Sequence, residues 1–375
     1  MKPKIWLSSP HMSGAEQTYI KEAFDTNWVA PLGPNVNGFE NDLQSYLNED
    51  CHVAALASGT SALHLSLILL GISSGDEVIC QSKTFSASAN PIAYQGATPV
   101  FIDSERDTWN MCPEQLEIAI KDRMTKGKKP KAIIPVHLYG MPYKVEEIHK
   151  IAKEYNIPVV EDSAESLGSQ YKGQNCGTFG DLSILSFNGN KIITTSGGGA
   201  LVTKTKEQKQ KAVFLATQAR DNAPHYQHSH IGYNYRMSNI VAGIGRGQMT
   251  ILDSHVAKRR SNHELYLNSF KNNNNITFLQ EPEGHFSNRW LTAVLLDSKE
   301  TREDLRLALE KENIESRPLW KPMHQQPVFE DSPSYINGVA DELFDRGLCL
   351  PSGSNLTNEE LDRVISTINT YFAVC

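Results

Sequence analysis

The chain has 375 residues, of which 39% are hydrophobic and 21% charged, and its formal net charge is −7. This length favours a large domain followed by a smaller one, and we place the division at 1–250 and 251–375. The negative charge argues against a nucleic-acid surface or a membrane anchor. Six scattered cysteines without CxxC spacing, and an N-terminus without an apolar leader, favour the cytoplasm.

Strands and helices alternate over roughly the first two hundred residues. A capping box from Ser13 to Glu16 predicts the first helix, and Val- and Ile-rich runs predict short strands buried on both faces. The first predicted helix ends near residue 24, and the later ones cover 38–47, 61–70, 85–94, 113–124 and 145–155. The predicted strands are 52–56, 77–81, 99–103, 132–137, 158–161, 182–187 and 200–204. Such alternation predicts an α/β fold with a mostly parallel sheet between layers of helices.

The pattern changes in the last third of the chain. A helix-prone stretch over 238–267 leads out of the large domain, and a run of asparagines at 272–275 marks the start of the small one. We expect a small α+β domain with a strand at 292–296, a helix opened by Thr301, and a last helix. The last helix is opened by a second capping box, from Thr357 to Glu360.

The first chemical signal is Ser58-Gly-Thr-Ser61, between a predicted strand and a predicted helix. Small residues there leave backbone N–H groups free at the positive end of the helix, where a phosphate can bind. The same residues are also common helix caps, so this segment alone supports both interpretations.

Two further signals follow buried strands. Asp162 and Glu165 come directly after the strand at 158–161, at the end of the sheet where α/β proteins keep their ligands. Asp162 is either a cap for the next segment or the partner of a cationic ligand. Lys191 follows the strand at 182–187 and precedes a glycine-rich turn; taken alone, it reads as a surface lysine.

The three signals together fit pyridoxal phosphate (PLP). Its site needs a lysine for the aldehyde, an acid for the ring nitrogen and an anchor for the phosphate. Lys191, Asp162 and the Ser58–Ser61 segment supply these in a plausible order. Other cofactors are disfavoured, because the sequence has no GxGxxG after the first strand, no P-loop and no metal-binding histidine spacing.

With these residues in place, the chain resembles the DegT/DnrJ/EryC1/StrS family of PLP-dependent nucleotide-sugar aminotransferases, of fold type I. The resemblance covers nearly the whole chain. The motifs that carry it are Gly33-Pro-Asn-Val36, Ser58-Gly-Thr-Ser-Ala-Leu63, Thr84-Phe-Ser-Ala-Ser-Ala-Asn90, Val136-His-Leu-Tyr-Gly140, Glu161-Asp-Ser-Ala-Glu-Ser-Leu-Gly168, Ser186-Phe-Asn-Gly-Asn-Lys191, Gly232-Tyr-Asn-Tyr-Arg-Met-Ser-Asn239 and Arg317-Pro-Leu-Trp-Lys-Pro-Met-His324.

The resemblance implies a role for each matching position. Lys191 and Asp162 match the catalytic lysine and the acid at the ring nitrogen. The other implied cofactor contacts are Gly59, Thr60, Ser61, Phe85, Glu165, Ser186, Asn188 and, from the neighbouring subunit of a homodimer with shared sites, Asn234. The implied substrate contacts are Trp320, Lys321 and His324. Glu165 and Asn188 depart from the commonest family pattern, which has Gln or His at the first position and His at the second.

The implied reaction moves an amino group from L-glutamate to a keto sugar carried by a nucleotide. The runs around Asp162 and Lys191 are similar to the branch that aminates C4 of a UDP-linked 4-keto-6-deoxy-N-acetylhexosamine for bacillosamine-type sugars. The alternatives are a 3-keto or a dTDP- or GDP-linked sugar, another PLP reaction, or a non-catalytic sugar-nucleotide-binding protein of the same fold. A family branch that dehydrates its substrate has histidine in place of the lysine, and Lys191 argues against it.

Overall fold

The structure is a computed structural model that describes residues 2–47 and 50–374. Its strands are β1 His52–Leu56, β2 Glu77–Gln81, β3 Thr98–Ile102, β4 Ala132–Ile134, β5 Val160–Asp162, β6 Gln170–Tyr171, β7 Gln174–Asn175, β8 Leu182–Ser186, β9 Gly199–Thr203, β10 Ile276–Phe278, β11 His285–Phe286, β12 Thr292–Leu296, β13 Arg317–Pro318, β14 Ser334–Tyr335 and β15 Gly347–Leu350. Its α-helices are α1 Glu16–Asp25, α2 Pro34–Leu47, α3 Gly59–Leu69, α4 Asn90–Tyr94, α5 Pro113–Thr125, α6 Val145–Glu154, α7 Lys206–Ala216, α8 Asn239–Met249, α9 Leu252–Phe270, α10 Lys299–Lys311, α11 Val339–Arg346 and α12 Asn358–Val374.

The large sheet has the strand order β14-β3-β2-β4-β5-β8-β9-β1. Its two halves meet where the β4 region and the β5 region form parallel bridges, Ile133 to Val159 and Val136 to Asp162. Neighbours from β14 to β8 are parallel, whereas β9 runs antiparallel to both β8 and β1. The predicted α/β fold with a mostly parallel sheet is confirmed.

The large sheet is covered on both faces, as continuous apolar strands require. All five residues of β2 are buried, and successive side chains point to opposite sides of the sheet. Val78 packs into the core that contains Phe101, whereas Ile79 packs into the core that contains Ile102 and Ile148.

A second, antiparallel sheet has the order β10-β12-β15-β13. Its apolar face packs against α10 and α12 in a core that includes Leu296, Leu305, Leu348 and Ile368. The predicted helical stretch at 238–267 is two helices, α8 and α9, and the division after residue 250 falls in the short connection between them. The division into two domains itself stays a prediction.

Several predicted element boundaries match the structure, and others do not. β1, β2 and β12 have the predicted bounds, and Thr357 and Glu360 exchange the two hydrogen bonds of a capping box. The predicted helix at 85–94 is a short 3₁₀ turn, Ser86–Ser88, followed by α4. The helix expected to open at Thr301 is capped by Ser298 instead, whose side chain accepts the Thr301 N–H.

The topology collects the chemical signals at one place. β1, β5 and β8 lead into the segments that begin at Ser58, Asp162 and Phe187, and β9 begins opposite them at Gly199. Among residues 2–47 and 50–374, none of the helices combines the length and the apolar character needed to cross a membrane.

Candidate active site

A cavity of about 720 Å³ lies at the carboxyl ends of these strands. It brings together most of the predicted site residues, which are separated by up to 261 positions in the chain. The predicted residues that line it are Gly59, Thr60, Phe85, Asp162, Glu165, Ser186, Asn188, Lys191 and Trp320.

The amino end of α3 forms one wall of the cavity. The Ser58 side chain accepts the Ser61 N–H and the Ser61 hydroxyl accepts the Ser58 N–H, so the predicted cap is present as a capping box. A Cβ on Gly59 would lie 3.0 Å from the Ser186 Cβ, which is closer than an ordinary van der Waals contact. A Cβ on Gly199 would lie 2.3 Å from the Gly59 nitrogen. The segment can therefore be both a helix cap and a phosphate site. The Ser58 side chain caps α3, while Gly59 and Thr60 face the cavity.

Asp162 lies at the end of β5 and is 5% exposed. Its Oδ2 accepts a 2.6 Å hydrogen bond from the Ser88 hydroxyl, and its Oδ1 accepts the Ala164 N–H at 3.1 Å. Burial raises the pKa of the Asp162 carboxyl, while the Ser88 and Ala164 bonds and the Lys191 charge act in the opposite direction. A buried acid of this kind is suited to a cationic partner inside the cavity.

Lys191 and Glu165 are in contact inside the cavity. The Lys191 Nζ lies 3.4 Å from Glu165 Oε1 and 4.2 Å from the centre of the Trp290 ring. The two side chains are 10% and 3% exposed. Burial raises the pKa of Glu165 to about 7, although the Lys191 charge and the hydrogen bond from the Tyr139 N–H lower it.

The loop that carries Lys191 is held by residues from distant parts of the chain. The Asn190 carbonyl accepts hydrogen bonds from the Ser8 hydroxyl at 2.8 Å and from the Trp290 indole at 2.6 Å. The fully buried Arg259 in turn donates to the Trp290 carbonyl at 2.7 Å and to Ser8 at 3.1 Å. These bonds fix the backbone next to the amine.

Two aromatic side chains, Phe85 and Trp320, form part of the cavity wall. Phe85 and Trp320 have ring centroids 5.5 Å apart, and Tyr139 lies 5.0 Å from Trp320. The Trp320 N–H donates to the Tyr139 hydroxyl at 3.0 Å. The Phe85 side chain remains 54% exposed, so its ring is available to a ligand.

Four predicted residues do not line the cavity. The Ser61 hydroxyl is occupied by the capping box, and Lys321 is half-buried beside Trp320. The His324 ring lies between the Ser82 hydroxyl, at 2.7 Å, and an Asp341 carboxylate oxygen, at 3.0 Å. Asn234 is exposed. The roles of all the predicted site residues stay predictions.

Several residues that shape the site carry no recognisable signal in the sequence. Ser88, which donates to Asp162, lies within a quoted motif but was given no role. Trp290 and Arg259 gave no signal, because an isolated tryptophan or arginine in a helical or turn segment has no pattern that connects it to Lys191. Asn288 holds the Glu165 carbonyl at 2.8 Å and likewise lies outside every motif.

One group of possible metal ligands occurs among the described residues: His137, Glu161 and Cys176. Glu161 accepts hydrogen bonds from His137, Ser183 and the N–H groups of Gly177, Phe179 and Gly180. Burial alone would raise its pKa, but these donors hold the pKa of Glu161 at about 2. Because both carboxylate oxygens are engaged, this group serves to join β5 to β8 and the loop between them.

The lining residues fit pyridoxal phosphate. The amino end of α3 suits the phosphate, the buried Asp162 suits a protonated ring nitrogen, and Lys191 offers a primary amine for the aldehyde. The exposed ring of Phe85 offers a flat apolar surface at the same cavity. A side chain larger than glycine at position 59 would enter the space between α3 and Ser186.

The chain is similar to known proteins over nearly its whole length. The DegT/DnrJ/EryC1/StrS aminotransferase family matches residues 10–369. The chain is 52% identical to the putative pyridoxal phosphate-dependent aminotransferase EpsN of Bacillus subtilis, over 98% of this chain and 96% of EpsN. It is 38% identical to the GDP-perosamine synthase of Escherichia coli O157:H7, over 98% and 99% of the two chains.

Solved structures show the same fold. The PLP form of the putative sugar aminotransferase Spr1654 from Streptococcus pneumoniae has a TM-score of 0.91 at 29% identity, and the match covers 99% of both chains. The family match, the relatives and the cavity thus lead to one conclusion. The chain belongs to the DegT/DnrJ/EryC1/StrS aminotransferase family, and it is a pyridoxal-phosphate-dependent aminotransferase.

Proposed function

We propose that this enzyme transfers an amino group from L-glutamate to the C4 keto group of a UDP-linked 4-keto-6-deoxy-N-acetylhexosamine. The observation that carries the reaction type is the convergence of Lys191, Asp162 and the amino end of α3 on one cavity. The UDP-linked substrate is supported by the runs around Asp162 and Lys191, and a bacterial glycan is the expected use of the product.

Each cavity residue has a defined task in this proposal. Bound PLP supplies an electron sink, so that a proton can be moved between the two carbons that flank the substrate nitrogen. Lys191 Nζ binds the aldehyde carbon and later carries that proton, a contribution that is typically about 10²–10⁴-fold. Asp162 holds the proton on the ring nitrogen. Gly59, Thr60 and Ser186 bind the phosphate.

The aromatic wall serves the sugar and the cofactor ring. Phe85 covers one face of the ring and excludes water from the reacting atoms. Trp320, next to Phe85 and Tyr139, presents apolar surface on which the 6-deoxy side of a sugar can pack. Lys321 and His324 follow in the same segment and are proposed to meet the substrate when the site closes around it.

A GDP-linked keto sugar is the strongest alternative substrate. Three of the relatives are GDP-perosamine synthases, with identities of 38%, 36% and 33% to this chain. A 3-keto or dTDP-linked sugar is a further alternative within the same reaction type. A lyase or decarboxylase would use the same cofactor residues without a keto sugar.

The experiment that separates these substrates is product analysis. Purified enzyme is supplied with glutamate and, in parallel, with UDP-4-keto-6-deoxy-N-acetylglucosamine and GDP-4-keto-6-deoxymannose. We expect 2-oxoglutarate and a UDP-linked 4-amino sugar in the first reaction. Formation of an amino sugar from the GDP substrate alone would show that the substrate is GDP-linked and not UDP-linked. Release of CO₂ or ammonia without an amino sugar would show that the enzyme is a decarboxylase or a lyase.

We also propose that the enzyme is a homodimer in which Asn234 reaches the phosphate of the neighbouring subunit. Asn234 is exposed and lies outside the cavity of its own chain, as a residue with that task should. A mixture of inactive Lys191→Ala and Asn234→Ala subunits should regain activity, because hybrid dimers contain one intact site. A monomer in solution, or a mixture that stays inactive, would contradict the shared site.

A further inference from the structure

Lys191 has an anionic partner before any cofactor is attached to it. Its Nζ lies 3.4 Å from Glu165 Oε1, and both side chains are largely shielded from solvent, with exposures of 10% and 3%. On its other side the amine faces the Trp290 ring, at 4.2 Å from the centroid. In such surroundings a charged amine depends on its counter-ion, because water is largely excluded.

Glu165 is held so that one of its oxygens is directed to the amine. Its Oε2 accepts the Tyr139 N–H at 2.7 Å, while its own carbonyl accepts a hydrogen bond from the Asn288 amide at 2.8 Å. Tyr139 has a left-handed backbone conformation, with φ of 54°, and its N–H points to this carboxylate. Oε1 is thus left to face Lys191, and neither side chain needs to move to make the contact.

The groups around Glu165 differ in charge. Lys191 is the cation among them and Asp162 is a second buried acid. The Tyr139 hydroxyl and the Cys349 thiol also act on it, but burial raises the pKa of both well above neutrality, so both stay uncharged. Burial raises the pKa of Glu165 itself to about 7, so this carboxyl can both pair with a cation and accept a proton near neutral pH.

We propose that Glu165 is the counter-ion of Lys191 before the cofactor is attached, and that it accepts the proton Lys191 must lose to capture the aldehyde. This inference rests on the proposed role of Lys191. Capture forms a nitrogen–carbon double bond and breaks the carbon–oxygen double bond of the aldehyde. The two hydrogens of the neutral amine leave with that oxygen as water, and the third hydrogen of the ammonium passes to Glu165 Oε1.

The proposal predicts how the pH dependence of cofactor loading responds to mutation. Glu165 must be ionised to accept the proton, and burial raises the pKa of Glu165 to about 7, so the loading rate should rise as the pH rises through about 7. In Glu165→Gln the amide cannot accept a proton, so the loading rate should fall by about 10²-fold and lose this rise. Glu165→Asp retains a carboxylate and should keep part of the rate and the rise with pH.

The experiment measures loading and not turnover. Cofactor is removed from the full-length enzyme, pyridoxal phosphate is added, and the visible absorbance of the attached cofactor is followed between weakly acidic and alkaline pH. Glu281→Gln is the matched control, because Glu281 is also a partly buried glutamate in an ion pair, with Arg260, but lies outside the cavity. The ionisation of the free cofactor is common to all variants and cancels in the comparison.

The outcomes separate this inference from the proposed function. A loading rate that falls and loses its rise near pH 7 in Glu165→Gln alone supports the proposed role of Glu165. A loading rate in that variant that keeps both its size and its rise with pH overturns this role while Lys191 keeps its assignment. If Lys191→Ala forms the same coloured adduct as the wild-type enzyme, the proposed role of Lys191 fails, and the counter-ion role fails with it.

Discussion

At the scale of single residues, the environment of Asp162 combines burial with one strong hydrogen bond. The Ser88 hydroxyl donates to Oδ2 at 2.6 Å, and both residues are buried and line the cavity. A carboxylate in such a place is costly unless a cation joins it. In the proposed function the protonated ring nitrogen of the cofactor supplies that cation, so that the acid and the cofactor stabilise each other.

This arrangement predicts the effect of Asp162→Asn. The amide cannot hold a proton on the ring nitrogen, so we expect kcat to fall by about 10²-fold or more, with a smaller change in KM for glutamate. Steady-state kinetics with cofactor content checked by absorbance is the measurement. Ser88→Ala, which only removes the hydrogen bond, should lose less; a wild-type kcat in Asp162→Asn would contradict the assignment.

Lys83 is a buried lysine that takes no part in the proposed chemistry. Its side chain is fully buried, and its Nζ donates to the Ala340 carbonyl at 3.3 Å. Burial lowers the pKa of Lys83 to about 7, against a value of about 10.4 in an unfolded chain. The folded protein therefore holds this proton less tightly than the unfolded chain, and Lys83 disfavours folding increasingly as the pH falls from about 10 to about 7.

Lys83→Met should therefore stabilise the protein in a pH-dependent way. Methionine fills similar volume without the charge, and the gain in the free energy of unfolding near pH 7 should reach a few kcal/mol, reduced by the lost hydrogen bond. Near pH 10 the gain should shrink, because the lysine is then neutral in the folded chain. Urea unfolding at both pH values measures this, and a gain that grows toward alkaline pH would be inconsistent with it.

At the scale of elements, the amino end of α3 illustrates how one turn can serve stability and binding together. Ser58→Ala removes the cap and should cost about 1 kcal/mol of stability. The loss should also disturb Gly59 and Thr60, which face the cavity, and so weaken binding of pyridoxal phosphate. Urea unfolding and the equilibrium loss of cofactor absorbance on dilution are the two measurements.

The capping box of α7 provides the control for that prediction. Thr205 caps α7 through the same reciprocal bonds with Gln208, but it lies outside the cavity. Thr205→Ala should cost a similar free energy of unfolding and leave cofactor affinity unchanged. Equal loss of cofactor from both variants would show that the cap of α3 acts only through overall stability.

Most of the elements could be predicted because their signals are local. β1, β2 and β12 follow from short apolar runs bounded by polar residues, and the cap of α12 follows from Thr357 and Glu360. The start of α10 was predicted wrongly, because Ser298 and Thr301 are both good caps and only the end of β12 decides between them. The single helix predicted at 85–94 is wrong for a similar reason. Its first residues form a 3₁₀ turn in which Ser88 contacts Asp162, and helix propensity alone does not reveal this contact.

At the scale of the whole molecule, the site depends on contacts between distant segments. Lys191, Asp162 and Gly59 come from three separate motifs and line one cavity, because parallel strands end at one edge of a sheet. The residues that hold the loop of Lys191 in place belong to no such sequence motif. Trp290 reaches the Asn190 carbonyl across 100 positions, and Ser8 reaches it across 182. Contacts of this kind appear only once the chain is folded.

Arg259 is the residue through which these segments are joined. It is fully buried and donates to the carbonyls of Trp290 and Ser352 and to the Ser8 hydroxyl. Arg259→Leu leaves these acceptors without their donor, and we expect a loss of about 3 kcal/mol or more in the free energy of unfolding. Arg259→Lys should recover part of it. Urea unfolding measures both, and a stable leucine variant would show that the acceptors find other partners.

The central claim is that Lys191 is the residue that binds the cofactor. The most direct test is borohydride reduction of the yellow enzyme followed by mass spectrometry of its peptides. The account predicts loss of the visible absorbance and one phosphopyridoxyl group on the peptide that contains Lys191. A label on a different lysine, or an enzyme that holds no reducible cofactor, would contradict it.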